Sequence, residues 1–312
     1  MQRNLEPTAL VGLMHVNEPT VARARQSAIT QRGVKTEVFE VEGLGEWAAH
    51  SELYRRFTER TDEFDILLKL DGDMILAEPW LLRAGYALFT SLPEVDQLSI
   101  GVDDWFTLER IDGMSMWRGG VRWEGEPDRI RPDLIRSTSR GSTLILDIGT
   151  PLVLHGMEPT ADQALRYGAH RGVKARATLK RIRLERARAF AVATMQEPHP
   201  MRLLALAAMD IALRDVERGT LLVEGLRDEA VVQELEQRSR DPALGPEVLR
   251  QIDELAPEPT ASNPTSSRTW LRAARWAIAA SRSMATFKDR VNADSGQESP
   301  EALLRAALES LH

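Results

Sequence analysis

The chain has no cysteine among its 312 residues. That absence excludes a disulfide framework, a thiolate metal site and a cysteine nucleophile, so a metal here must be held by oxygen or imidazole. An excess of positive charge is also missing. Lys and Arg number 40 against 47 Asp and Glu, and the net charge of −7 argues against general nucleic-acid binding. No apolar run reaches the roughly 20 residues that a membrane-spanning helix needs. The opening Met1-Gln2-Arg3-Asn4-Leu5-Glu6-Pro7 has neither the basic flank nor the apolar core of a signal peptide, and no segment recurs at a fixed period. The expectation is therefore a cytoplasmic protein.

What is present is an ordinary globular composition, 43% hydrophobic and 28% charged, long enough for one large domain or two smaller ones. Strands are expected at residues 9–14, 36–41, 66–70 and 98–102. Between them, Val21, Ala24, Ala28 and Ile29 mark one face of a helix stopped by Gly33, and Trp47, Leu53, Tyr54 and Phe57 mark a second. Pro79 opens a third, carrying Leu82, Tyr86 and Phe89. Such alternation predicts a largely parallel sheet with helices on both faces.

Residues 103–142, rich in Trp, Arg, Gly and Asp, read as a long functional loop or an insertion bearing a small ribbon. Strand character returns at 143–148 and 151–155, and a helix follows at 159–167. An Arg-rich helix over 174–190 then opens a helical region that runs to residue 255. The Pro/Ser/Thr/Asn tract at 256–267 reads as a linker. The division expected is a catalytic domain at 1–175, a helical domain at 176–255, the linker, and C-terminal helices at 268–312.

The most informative segment is Leu70-Asp71-Gly72-Asp73-Met74, directly after an apolar strand. Side chains at i and i+2 of an extended chain point the same way, roughly 6.5 to 7 Å apart. Asp71 and Asp73 can thus converge on one divalent cation, while Gly72 lets a phosphate approach the backbone. The competing reading is a solvated turn. In open α/β sheets ligands sit beyond the carboxyl ends of strands, and Met14-His15-Val16-Asn17-Glu18-Pro19 lies at another such end. There Glu18 is a candidate nucleotide contact, and capping of the next helix by Asn17 or Glu18 is the alternative. Arg23, Arg25 and Lys69 are candidates to neutralise phosphate oxygens.

At these residues the chain resembles the GT-A fold of nucleotide-sugar glycosyltransferases, family 2-like members with a DxD motif. The resemblance rests on Asn17-Glu18-Pro19-Thr20 after the first strand, on Leu70-Asp71-Gly72-Asp73-Met74, and on Leu154-His155-Gly156. It covers residues 8–175, about half of the chain. It implies a GT-A-like, Rossmann-type sheet and a metal-dependent transferase moving a sugar from a nucleotide diphosphate donor to a saccharide or lipid-linked glycan acceptor. The resemblance further implies Mn²⁺ or Mg²⁺ on Asp71 and Asp73, with His155 as third ligand and His170 as its competitor. Asp71, Glu18, Arg25 and Lys69 would contact the nucleotide. Trp105, Trp117 and Arg118 fall where an acceptor would bind, with Asp104 as general base. Fastening of the loop by its tryptophans is the other reading.

A DxD-type phosphatase would carry Gly-Thr or similar where this chain has Met74-Ile75, and a sugar nucleotidyltransferase would carry a glycine-rich, Arg-bearing loop where this chain has residues 14–20. The non-enzymatic alternative is a helical binding or scaffold protein with a degenerate nucleotide-binding domain. The basic residues between Arg166 and Arg188 fit either a phosphate-rich or acidic membrane surface or pairing with acid near 224–236. The segment around Trp270 and Trp276 offers a similar choice between peripheral contact with the inner face of the membrane and packing.

Overall fold

The computed structural model describes residues 6–124, 141–146, 151–178, 181–225 and 229–256. The expected C-terminal helices, all but the first residue of the linker, and residues 125–140 of the expected loop lie outside them. Three parallel strands form the heart of the sheet: β1 (Thr8–His15), β2 (Lys35–Glu42) and β3 (Ile66–Asp71), with Val11 opposite both Val38 and Leu68. Along β1, Ala9, Val11 and Leu13 turn to one face, where they meet Ile66, Leu68 and Leu70. Helices α1 (Val21–Ile29) and α3 (Leu81–Ser91) cover that face. Leu10, Met14 and Leu67 turn to the other, under α2 (Glu46–Arg60). Burial on both faces is why these strands read as apolar runs rather than alternations.

Gly12 lets α2 lie close, since a Cβ there would stand 2.1 Å from Leu53 Cδ1 and 2.8 Å from Phe39 Cζ. Two expected core residues lie outside the core: Ile29 is 42% exposed and Trp47 36% exposed. Each sits near a helix end, where the apolar stripe has already turned away from the sheet.

The sheet is completed by β4 (Met74–Leu76), β5 (Val95–Asp104), β6 (Glu109–Arg118), β7 (Ser142–Leu146) and β8 (Val153–His155). The order is β2-β1-β3-β6-β5-β8-β4, with β7 on β5. β6 runs antiparallel to β3, and β7 parallel to β5, so the fold is mixed α/β with a mostly parallel sheet. β5 is the strand expected at 98–102, and its neighbour β6 falls within the loop or insertion expected at 103–142.

Trp117 on β6 is a correction to the acceptor-site expectation. The ring is 4% exposed and packs edge-on against Tyr54 at 6.0 Å and Trp123 at 5.1 Å. A large aromatic side chain gains most by leaving water altogether, and this one has no face left for a sugar. Arg118 is also structural. Its guanidinium donates to the carbonyls of Leu92 and Val95 and lies over the Phe89 ring.

The remaining helices are α4 (Ala161–Thr178), α5 (Arg181–Gln196), α6 (Pro200–Arg214), α7 (Val216–Val223), α8 (Glu229–Ser239) and α9 (Leu244–Leu255). α6 is apolar nearly all round and buried from Ala205 to Leu213, as expected of a central helix. The contacts divide the chain into two compact units, one holding 6–103 and 111–154, the other 104–110 and 155–256. α4, placed by sequence mostly with the sheet, joins the second unit because it packs on α6. The Arg-rich stretch divides between α4 and α5; within it Arg166 pairs with Asp162, Arg181 with Glu185, and Arg188 with Asp253 on α9. Among the described residues no helix is long and apolar enough to cross a membrane.

Candidate functional site

In the first unit, the ends of β1 and β3 lie side by side, with Met14 in register with Asp71. The turn after β3 is tied down at Gly72. Its N–H donates to Met14 O at 2.7 Å, and its carbonyl accepts from Thr20 Oγ1 at 2.8 Å. Thr20 is the N-cap of α1 by position, yet its hydroxyl serves this turn instead of the helix. Neither Asn17 nor Glu18 caps α1. Asn17 takes a left-handed φ of 66°, which asparagine tolerates, and Glu18 Oε2 accepts from Val16 N at 2.8 Å. A Cβ at position 72 would lie 2.7 Å from His15 Cβ, 2.8 Å from Glu18 Oε2 and 3.1 Å from Val21 Cγ2. Only glycine fits.

The charges around this turn are close-set. Lys69 Nζ lies 3.1 Å from Asp71 Oδ2, the two side chains sharing a face of β3. Burial raises the pKa of Glu18, and the negative charge of Asp73 raises it further, which brings Asp73 into the same cluster. Arg25 reaches Glu40 at 3.1 Å, and Glu40 also meets His15 Nε2 at 3.3 Å. His15 is 6% exposed, and its Nδ1 has no hydrogen-bond partner. Of the residues expected here, Glu18, Lys69, Asp71 and Asp73 come together, while Arg25 is half exposed and anchored on β2. Hard carboxylate oxygens beside a glycine that a side chain would crowd fit a divalent cation and a diphosphate. Among the described residues, no three His, Asp or Glu side chains form a ready metal cage.

In the second unit, Asp104 is 3% exposed and its carboxylate is saturated. Oδ1 lies 2.7 Å from His155 Nδ1; Oδ2 accepts from Tyr167 OH at 2.7 Å, from Thr107 Oγ1 at 2.8 Å and from Thr107 N at 3.1 Å. Arg171 in turn donates to Tyr167 OH at 2.6 Å. Burial alone would raise the Asp104 carboxyl. The hydrogen bond and charge of His155, then the charge of Arg171 and the Tyr167 bond, outweigh it and hold the group well below the usual carboxylate range. Burial pushes the Tyr167 phenol up, so it stays a donor.

A general base needs an open lone pair and a pKa near neutrality. Asp104 has neither, and its environment suits an orienting anion. Because it accepts a hydrogen bond from Nδ1–H of His155, the lone pair of the neutral imidazole lies on Nε2. Trp105, on the turn after β5, is held under Arg202 at 4.3 Å from guanidinium to ring, with His199 at its edge. Its backbone carbonyl also accepts from Arg202. The fastening reading fits it better than open stacking on a sugar. His170 is partly buried on α4.

Sequence reasoning missed Thr20, His15, Tyr167 and Arg171. The Tyr167–Arg171 pair did carry a signal, since an i, i+4 spacing puts both on one helix face.

No family model matches this chain, and no curated protein does. Solved structures do match, among them that of S. aureus TarS, at 10% identity and a TM-score of 0.29. The match covers 80% of this chain and 55% of that one, so the chain spans about half the length of that protein. Superposition that loose carries no argument about function.

Proposed function

We propose that this protein is a metal-dependent glycosyltransferase that moves a sugar from a nucleotide diphosphate donor to a saccharide or lipid-linked acceptor. One observation carries the reading: the Asp71-Gly72-Asp73 turn at the carboxyl end of a buried parallel strand, pinned by Met14 and Thr20 around a glycine where a side chain would crowd His15 and Glu18. In this reading Asp71 and Asp73 hold Mn²⁺ or Mg²⁺, whose chemistry is to offset the charge that builds on the departing diphosphate. Glu18, on the neighbouring β1 turn, and Lys69 line the same turn. In the second unit Asp104 fixes the tautomer of the His155 imidazole.

The sheet topology is shared with sugar nucleotidyltransferases, but the turn after β1 is filled by Glu18 and His15 and contains no glycine. The scaffold alternative assigns no role to the acidic pair at this strand end.

A thermal-shift panel of UDP, GDP, dTDP and CDP, with and without Mn²⁺, tests the assignment. At least one nucleotide should stabilise the protein in a Mn²⁺-dependent way, and Asp73→Ala should abolish that gain. Retention of the full shift by Asp73→Ala, or no shift with any nucleotide, would sink the proposal.

A further inference from the structure

We infer that Lys69 is a built-in counter-cation that makes metal binding at Asp71 depend on the arrival of the diphosphate. This deepens the glycosyl-transfer reading and rests on it.

Lys69 is an odd residue for its place. It stands on β3 between Leu68 and Leu70, both fully buried, and is itself only 8% exposed. Its register partner on β1 is Gly12, a residue with no side chain. Buried ammonium groups are costly unless an anion answers them, and here Asp71 Oδ2 does, at 3.1 Å. The strand period makes the meeting possible, because residues i and i+2 share a face.

The carboxylate that Lys69 holds is the first acid of the proposed metal pair. Any divalent cation taking an Asp71 oxygen would sit beside a fixed positive charge. By itself, then, the metal meets repulsion, and a pair of carboxylates is a sparse ligand set for it. A diphosphate reverses the balance, since its oxygens supply further ligands to the metal and a new anionic partner for the ammonium. Metal and diphosphate then bind with positive coupling, and the coupling is reciprocal. Lys69 is a positioning residue in this scheme: before the donor arrives it holds the Asp71 carboxylate in place, and afterwards it can turn toward phosphate.

The experiment measures free Mn²⁺ by electron paramagnetic resonance over the intact chain, with MnCl₂ alone and with MnCl₂ plus UDP, GDP, dTDP or CDP. For the native sequence, Mn²⁺ affinity should rise roughly tenfold or more when the diphosphate that binds is present. Lys69→Met keeps the apolar stem and removes the charge. It should bind Mn²⁺ alone about fivefold more tightly, and the diphosphate should then add correspondingly less. Lys69→Arg, which keeps the charge, should stay close to native.

Equal Mn²⁺ affinity with and without diphosphate in the native chain overturns the inference whether or not Lys69→Met folds. So does a folded Lys69→Met protein with native affinity and native coupling, or a Lys69→Arg protein that behaves like Lys69→Met. In each of these cases Mn²⁺-dependent nucleotide binding can persist, leaving the parent reading standing. Absence of any nucleotide binding removes both.

Discussion

Asp104 carries a negative charge where water hardly reaches it, and the groups facing it are His155, Tyr167, Arg171 and Thr107. Its depressed pKa has a direct consequence for stability. A carboxyl whose folded pKa lies below its unfolded one stabilises the fold fully above the ordinary aspartate value of 3.8 and loses that contribution as pH falls toward the lower one. Urea midpoints taken from neutral pH into acid should therefore decline for the native chain and decline less for Asp104→Asn. At neutral pH, Asp104→Ala should cost about 3–5 kcal/mol, as when one partner of a buried charged network is removed. A cost under about 1 kcal/mol, the range of exposed ion pairs, would contradict the saturated carboxylate described here. The resemblance marked Asp104 as a general base and His155 as a metal ligand. It gave no hint that they belong to one another, because 51 residues separate them and only the fold closes that distance.

The crossing of α4 and α6 depends on glycine at the contact. A Cβ on Gly168 would lie 1.7 Å from Ala205 O and 2.5 Å from Ala205 C, and one on Gly172 would lie 2.8 Å from Met209 O. These are backbone atoms, so no rotamer change can relieve the clash. Gly168→Ala should destabilise by about 1–3 kcal/mol or more, despite the higher helix propensity of alanine. Chemical denaturation should show a lower midpoint with an unchanged slope, and a stabilised variant would refute the close crossing. The start of α4 was legible as the helix expected at 159–167, although it runs on to Thr178 into the stretch expected to open the next helix, and α6 lay within the expected helical region. Their partnership was not legible, since a glycine within a helix reads as a weakness until the neighbouring backbone is seen against it. The strand-end turn shows the opposite case, where Asp71, Gly72 and Asp73 were legible because chemistry and spacing coincide in a local stretch.

On the scale of the molecule, each of the two units has its own apolar core: the sheet unit around β1 and β3, and the helical unit around α6. Ligand that binds only the native site stabilises the elements it contacts against local opening. Mn²⁺ with the bound nucleotide should slow amide hydrogen exchange most at residues 14–21 and 70–74, and least in α8 and α9. Protection concentrated in α8 and α9 would place the nucleotide elsewhere.

By itself the sequence determined the alternating strands and helices, the exclusion of thiol chemistry, and the acidic turn, because these follow from local periodicity and residue type. Tertiary structure alone decided that Trp117 is core, that α4 joins the helical unit, that Asp104 holds His155 and that Lys69 answers Asp71 from a buried position. Burial and partnership belong to packing, and packing joins residues by the shape of the fold rather than by their order in the chain.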